Sequence, residues 1–205
     1  MTTLAIDIGG TKIAAAVCDE NDAITHRWRV PTPMDADAIN HHIANIYHEA
    51  VAAGHDDIQA IGISAAGNVG ADRRTLTFAA NIPAWINYDL SEHIGALIDH
   101  AVPVVVENDA NCAGWGEYVH GAGQGSSNMV ALTVGTGLGG AISSTDGCTA
   151  DRSAWPRNSD TCRWCRTATP ADAGFAAARN ATRLEARWNG SPSPPCADAR
   201  RTPNA

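Results

Sequence analysis

Leu4-Ala5-Ile6-Asp7-Ile8-Gly9-Gly10-Thr11-Lys12-Ile13-Ala14-Ala15-Ala16-Val17-Cys18 places two apolar runs on either side of a four-residue break. The first run reads as a buried strand carrying one acid, and Ile13 to Cys18 reads as a second strand. Between them, Gly9 and Gly10 let backbone N–H groups approach a phosphate, while the Thr11 hydroxyl and Lys12 ammonium can add donors. A tight hairpin with glycine at positive φ fits the same residues. Asp19-Glu20-Asn21-Asp22 has hairpin-turn chemistry, so Ile24 to Val30 is expected as a third strand, ended by Pro31 and Pro33.

Further along, Ala36, Ile39, Ile43, Ile46 and Ala50 recur at helical spacing, which predicts an amphipathic helix from Asp35 to Ala53. His41, His42 and His48 fall on its solvated side. Ile58 to Ser64 is a strand running into Ala65-Ala66-Gly67-Asn68. Leu90, Ile94, Leu97 and Ile98 mark a shorter helix. Val102 to Val106 is a strand interrupted by Pro103 and ending at Glu107-Asn108-Asp109-Ala110-Asn111, and Ala110 to Tyr118 reads as helix despite Gly114 and Gly116. Val130 to Val134 is a strand that breaks at Gly135-Thr136-Gly137-Leu138-Gly139-Gly140, with Ala141-Ile142 opening the next. The element order predicts an α/β chain, a mixed sheet flanked by helices.

Three stretches carry candidate chemistry. The second glycine-rich turn, like the first, lies between strands and not ahead of a helix, which excludes a Rossmann or P-loop placement. Two such turns suggest phosphates clamped from two sides. Asp109 stands at the carboxyl end of a buried strand, where ligands bind in open sheets. There it could take a proton from a hydroxyl that Asn108 holds, or simply cap the following helix. Asn81-Ile82-Pro83-Ala84-Trp85 could line a sugar site or be an ordinary Asn-x-Pro turn.

The 205 residues carry a net charge of -8, which argues against a general binder of nucleic acid or anionic membrane. No apolar run approaches the roughly 18 residues of a membrane span. Met1-Thr2-Thr3 adds no basic stretch ahead of Leu4, so no signal peptide is expected and a cytoplasmic location is. The charge is unevenly spread. Up to Gly147 there are one Lys, four Arg and seventeen acids; from Cys148 onward there are nine Arg, no Lys and five acids. That second stretch has no Ile, Val or Met, and Leu184 is its only Leu. Such a composition cannot build a core, so residues 1–147 are expected as one lobe and 148–205 as a disordered, non-native tail.

Taken together, Asp7-Ile8-Gly9-Gly10-Thr11-Lys12, Gly62-Ile63-Ser64-Ala65-Ala66-Gly67, Glu107-Asn108-Asp109-Ala110-Asn111 and Leu132 to Gly140 resemble the ROK family, and within it the bacterial glucokinases. The resemblance covers residues 1 to about 147. It implies the amino-terminal domain of an actin-like (ribonuclease H-like) ATPase fold and transfer of the ATP γ-phosphate to the 6-hydroxyl of glucose. Gly9, Gly10, Thr11 and Lys12 match the first phosphate loop; Gly135, Thr136, Gly137, Gly139 and Gly140 match the second. Asp7 matches the acid expected near Mg²⁺. Gly67, Asn81, Asn108 and Asp109 match sugar-contacting positions, with Asp109 the catalytic base. ATP and a hexose are the implied ligands, and dimerisation is common in such proteins. Family repressors carry a helix-turn-helix ahead of the first loop, which here follows the first strand directly, so a kinase is expected; a non-catalytic sugar binder or a kinase for mannose or an N-acetylhexosamine remains open, as does polyphosphate as donor.

After Gly147 the resemblance would continue with a Glu-Leu-Gly-His segment, a zinc-binding cysteine cluster and a second lobe. None is visible, and Cys162 and Cys165 alone make only half a zinc site. Re-reading each codon one base earlier makes Ala154 to Thr161 compatible with Gly-Met-Ala-Ala-Glu-Leu-Gly-His. It also makes Ala171 to Ala178 compatible with Cys-Gly-Cys-Gly-Leu-Arg-Gly-Cys. The tail is therefore expected to be a frameshifted reading, with zinc entering only in the restored frame and the truncated chain inactive.

Overall fold

The computed structural model describes residues 2–21, 23–79, 82–134, 138–144 and 147–150. Strands β1 (Thr2–Ile8), β2 (Lys12–Cys18) and β3 (Ile24–Pro31) form an antiparallel meander. The free edge of β1 pairs in parallel with β4 (Ile58–Ala65), and β4 pairs in parallel with β8 (Val104–Asn108), giving the order β3-β2-β1-β4-β8. This is the mixed sheet expected from the element order. Its parallel half depends on long connections, each carrying a helix, as parallel pairing requires.

Helix α1 (Ala36–Ala52) begins where the Asp35 carboxylate accepts the Ala38 N–H at 2.9 Å. Ile39, Ile43 and Ile46 are poor helix formers by a few tenths of a kcal/mol. Each is buried, a gain of about 1.5–3 kcal/mol, so packing decides. The core holds them with Leu4, Ile6, Ile13, Ile61 and Ile63, joined by Leu90 and Ile94 of α2 (Leu90–Leu97). His41 and His48 are exposed and His42 half-buried on the outer side of α1, as read.

Several expectations need correction. Between β4 and α2, where no strand was expected, β5 (Asn68–Val69), β6 (Thr75–Phe78) and β7 (Tyr88–Asp89) make a small antiparallel sheet of their own. Trp85, in the loop that could line a sugar site or form an ordinary turn, is 1% exposed and belongs to the main core. The strand expected at Val102 starts at Val104 because Pro103 has no N–H for the ladder, although its carbonyl accepts the Ile61 N–H at 2.9 Å. After α3 (Asp109–His120), strands β9 (Asn128–Val134), β10 (Leu138–Ser144) and β11 (Gly147–Ala150) form a separate antiparallel sheet, so Gly139 and Gly140 sit within a strand. β11 carries Cys148, Thr149 and Ala150 across the compositional seam; residues 151–205, with Cys162 and Cys165, lie outside the described residues. Among the described residues, no helix is long and apolar enough to cross a membrane.

Candidate active site

The register of the parallel strands builds the site. Ile8, Ala65 and Asn108 stand level across β1, β4 and β8, so the turns that follow them leave from one edge of the sheet. That edge gathers the Gly9–Lys12 turn, Gly67 and the Asn108–Asp109 step. One residue deeper, Asp7, Ser64 and Glu107 form a polar row across the three parallel strands. Asp7 is 3% exposed, and its Oδ1 accepts the Ser64 hydroxyl at 2.9 Å.

At the first turn, the Gly9 N–H donates to the Lys12 carbonyl at 2.9 Å. Thr32 fastens the turn from outside, its hydroxyl donating to the Gly9 carbonyl at 2.7 Å and its N–H to the Thr11 carbonyl at 3.1 Å. Gly10 and Thr11 remain exposed. The turn does join β1 and β2 as a tight hairpin, but neither Gly9 nor Gly10 takes a positive φ, so left-handed backbone is not what calls for glycine here. Close approach explains Gly9 instead: a Cβ there would lie 3.1 Å from the Lys12 carbonyl oxygen.

Gly67 has no room for a side chain, since a Cβ would lie 2.7 Å from the Phe78 carbonyl oxygen. Its own carbonyl accepts the Asn108 amide at 2.9 Å. The same amide donates to Asp109 Oδ1 at 3.0 Å, and that oxygen also accepts the Ala110 N–H at 2.9 Å. The helix cap considered for Asp109 belongs to Asn108, whose Oδ1 accepts the Asn111 N–H at 3.1 Å. Asp109 is exposed in the first turn of α3, at the positive end of the helix. A carboxylate so held can accept a proton from a hydroxyl placed at the sheet edge.

The second glycine-rich stretch reaches the same region through Gly139, where a Cβ would lie 3.0 Å from Ala110 Cβ. Gly135, Thr136, Gly137 and Asn81 lie outside the described residues. Behind the edge, burial pushes the Cys112 thiol well above its usual range, Glu107 adding to the effect and Arg73 opposing it. Among the described residues no cluster of His, Cys, Asp and Glu could by itself hold a metal. Mg²⁺ needs only one or two carboxylates alongside substrate phosphates and water, and Asp7 below the turn fits that donor set. A cavity of about 510 Å³ bordered by Arg74, Glu92, His100 and Val104 opens beside the start of β8, away from this edge.

Sequence reading missed Ser64, Arg73 and the bracing role of Glu107. A serine inside the buried run Ile61-Gly62-Ile63-Ser64 was the available signal for the first; the others depend on contacts distant in sequence.

A mixed sheet with flanking helices, matching solved ROK family sugar kinases, is an actin-like ATPase fold. The ROK family model matches residues 3–148, and the chain belongs to the ROK family. The chain is 49% identical over 140 residues to a glucokinase of Streptomyces coelicolor, covering 68% of this chain and 43% of that protein. A ROK family glucokinase from Streptomyces griseus, solved with glucose and AMPPNP, superposes with a TM-score of 0.63 at 43% identity, covering 74% of this chain and 47% of that one. An inorganic polyphosphate/ATP-glucomannokinase from Arthrobacter gives a TM-score of 0.63 at 29% identity, covering 74% and 61%. The chain thus spans less than half the length of the Streptomyces glucokinases it matches.

Proposed function

We propose that this chain carries the amino-terminal lobe of an ATP-dependent hexose kinase that transfers the γ-phosphate of ATP to the 6-hydroxyl of glucose. The observation that carries the reading is the Asn108–Asp109 pair, bonded to Gly67 at the same sheet edge as the Gly9–Lys12 turn. Asp109 accepts the hydroxyl proton, while Asn108 and Gly67 orient the sugar. Gly9, Gly10, Thr11 and Lys12, with Gly135, Thr136, Gly137, Gly139 and Gly140, would hold the phosphates, and Asp7 would face Mg²⁺. Bound Mg·ATP supplies the phosphoryl group and neutralises charge developing on it, leaving positioning and one base to the protein. Asn81 completes the proposed sugar contacts.

The named activities of the similar proteins support a hexose substrate, and the glucomannokinase keeps mannose and polyphosphate in the assay panel. We further propose that residues 148–205 are an out-of-frame reading, that the frame-restored protein is the active kinase, and that the 205-residue chain alone has little activity. The end of the family match at residue 148 supports this. Resequencing around codon 147 tests it; a second frame with no continuation through a cysteine cluster overturns it. In the frame-restored protein, Asp109→Asn should retain glucose binding and lower kcat by about 10²–10⁴-fold. Near-normal turnover in a coupled hexokinase assay overturns the assignment of the base.

A further inference from the structure

The β5–β6 hairpin touches the junction of β8 and α3 at two places. At its start, the Gly67 carbonyl holds the Asn108 amide. At its tip, Arg73 reaches Glu107, with Nη2 3.1 Å from Oε2 and both side chains less than one-fifth exposed. We propose that Arg73 is a positioning residue for Asp109, acting through Glu107; its role in catalysis rests on the function proposed above, whereas the brace itself does not.

Glu107 is the hub. Its Oε1 accepts the Asn108 N–H and the Asn111 amide, each at 2.9 Å, while Oε2 faces Arg73. Asn111 returns its N–H to Asn108 Oδ1, and the Asn108 amide holds Asp109 Oδ1. The orientation of Glu107 therefore fixes Asn108 from the main chain and through Asn111, and Asn108 fixes the Asp109 carboxylate.

Arg73 is itself anchored by its backbone. Its φ of 55 puts it in the left-handed region, its N–H donates to the Gly70 carbonyl at 3.0 Å, and its carbonyl accepts the Val106 N–H at 2.8 Å. Asp72 holds the same turn by accepting the N–H groups of Arg74 and Thr75, both at 3.1 Å. The guanidinium is thus delivered by a fixed turn rather than a freely swinging side chain. Removing one member of a shielded pair leaves the other charge uncompensated, so the Glu107 carboxylate should turn away from α3 toward solvent when Arg73 is lost.

The test uses the full chain and needs no substrate. Amide exchange is measured at Asn108, Ala110 and Asn111, whose N–H groups report the three carboxylate and amide bonds, and at Ile6 and Ile63 in the core. Arg73→Met should speed exchange at the three site amides by about tenfold while leaving Ile6 and Ile63 unchanged. It should also shift the Asp109 side-chain carboxyl carbon resonance. Arg73→Lys should return both readouts most of the way. If Arg73→Met unfolds the chain, the neutral double variant Arg73→Met/Glu107→Gln removes the lone charge; it should keep the core protected and the site amides fast. Unchanged site amides, or acceleration of site and core together in the double variant, overturns the proposal. Failure of hexose kinase activity in the frame-restored protein, with the expected exchange pattern in this chain, would overturn the function and leave the brace standing.

Discussion

The first and last sheets of this molecule are both built from apolar-rich strands and end in different circumstances. In the five-stranded sheet, β1 and β2 are buried on both faces, with Leu4, Ile6, Ile13 and Ala15 against the helices and Ala5, Ala16 and Cys18 in a smaller cluster opposite. In the three-stranded sheet, α3 covers one face through the close approach of Gly114 to Ala131 and Ala141. The other face presents Val130, Leu132, Val134 and Ile142, the β9 residues 67–84% exposed. An apolar face of this kind is the surface composition of an interior. Alternation in sequence reports which residues share a face; it does not report whether both faces will be covered.

That contrast can be broken or sharpened by substitution. The largest effect should come from Ile63→Ala in the first sheet, which leaves a cavity in a fully buried position and should cost about 2–5 kcal/mol in urea denaturation. A loss under 0.5 kcal/mol would show that the first sheet is as loosely held as the last. Next, Gly114→Ala places a methyl 2.5 Å from Ala141 Cβ and should cost about 1–3 kcal/mol. Hydrogen exchange should then rise in β9 and β10 and not in β1; a uniform rise would mean that the two sheets unfold as one unit. Leu132→Asn, on the bare face, should change stability by no more than about 0.5 kcal/mol while reducing self-association in sedimentation. A large loss of stability would show that this face is covered in solution.

The smallest effect concerns the β5–β6 turn, which docks on β8 through the Arg73 carbonyl. Burial works against the Asp72 charge, but hydrogen bonds from Thr75 and Arg74, with the Arg74 charge, outweigh it and hold the carboxyl below its usual range. A depressed folded pKa means stability that is complete above the unfolded value of about 3.9 and lost as pH falls through the folded value. Asp72→Asn should therefore narrow the drop in Tm between about pH 5 and pH 3. An identical drop in both proteins would remove Asp72 from the account.

Where pattern and packing agree, the sequence was sufficient. α1 was legible because Asp35 caps it and its buried positions recur at one helical period. Asn108 and Asp109 were legible as candidates because they close an apolar strand ahead of a helix, whereas Asp7 and Gly67 came only from the resemblance to the ROK family. The middle sheet was not: β5 and β7 are two residues each, and Thr75 finds its partner at Asp89. The cap at the start of α3 was legible only as an alternative role for Asp109, and the geometry assigns it to Asn108 instead. Arg73 could not be tied to Glu107 from spacing, since the intervening chain includes α2 and two sheets' strands.

The place of β1 in its sheet also sets a timetable. Its antiparallel partner β2 is complete by Cys18, whereas its parallel partner β4 is not complete until Ala65 and β8 not until Asn108. On a ribosome adding about 5–20 residues per second, the first three strands can pair within seconds while one edge of β1 still waits. An unpaired apolar edge is what a second nascent chain would add to. The same centrality that gives β1 two partners in the finished protein makes it the strand most in need of a chaperone before Ile58 to Ala65 has emerged.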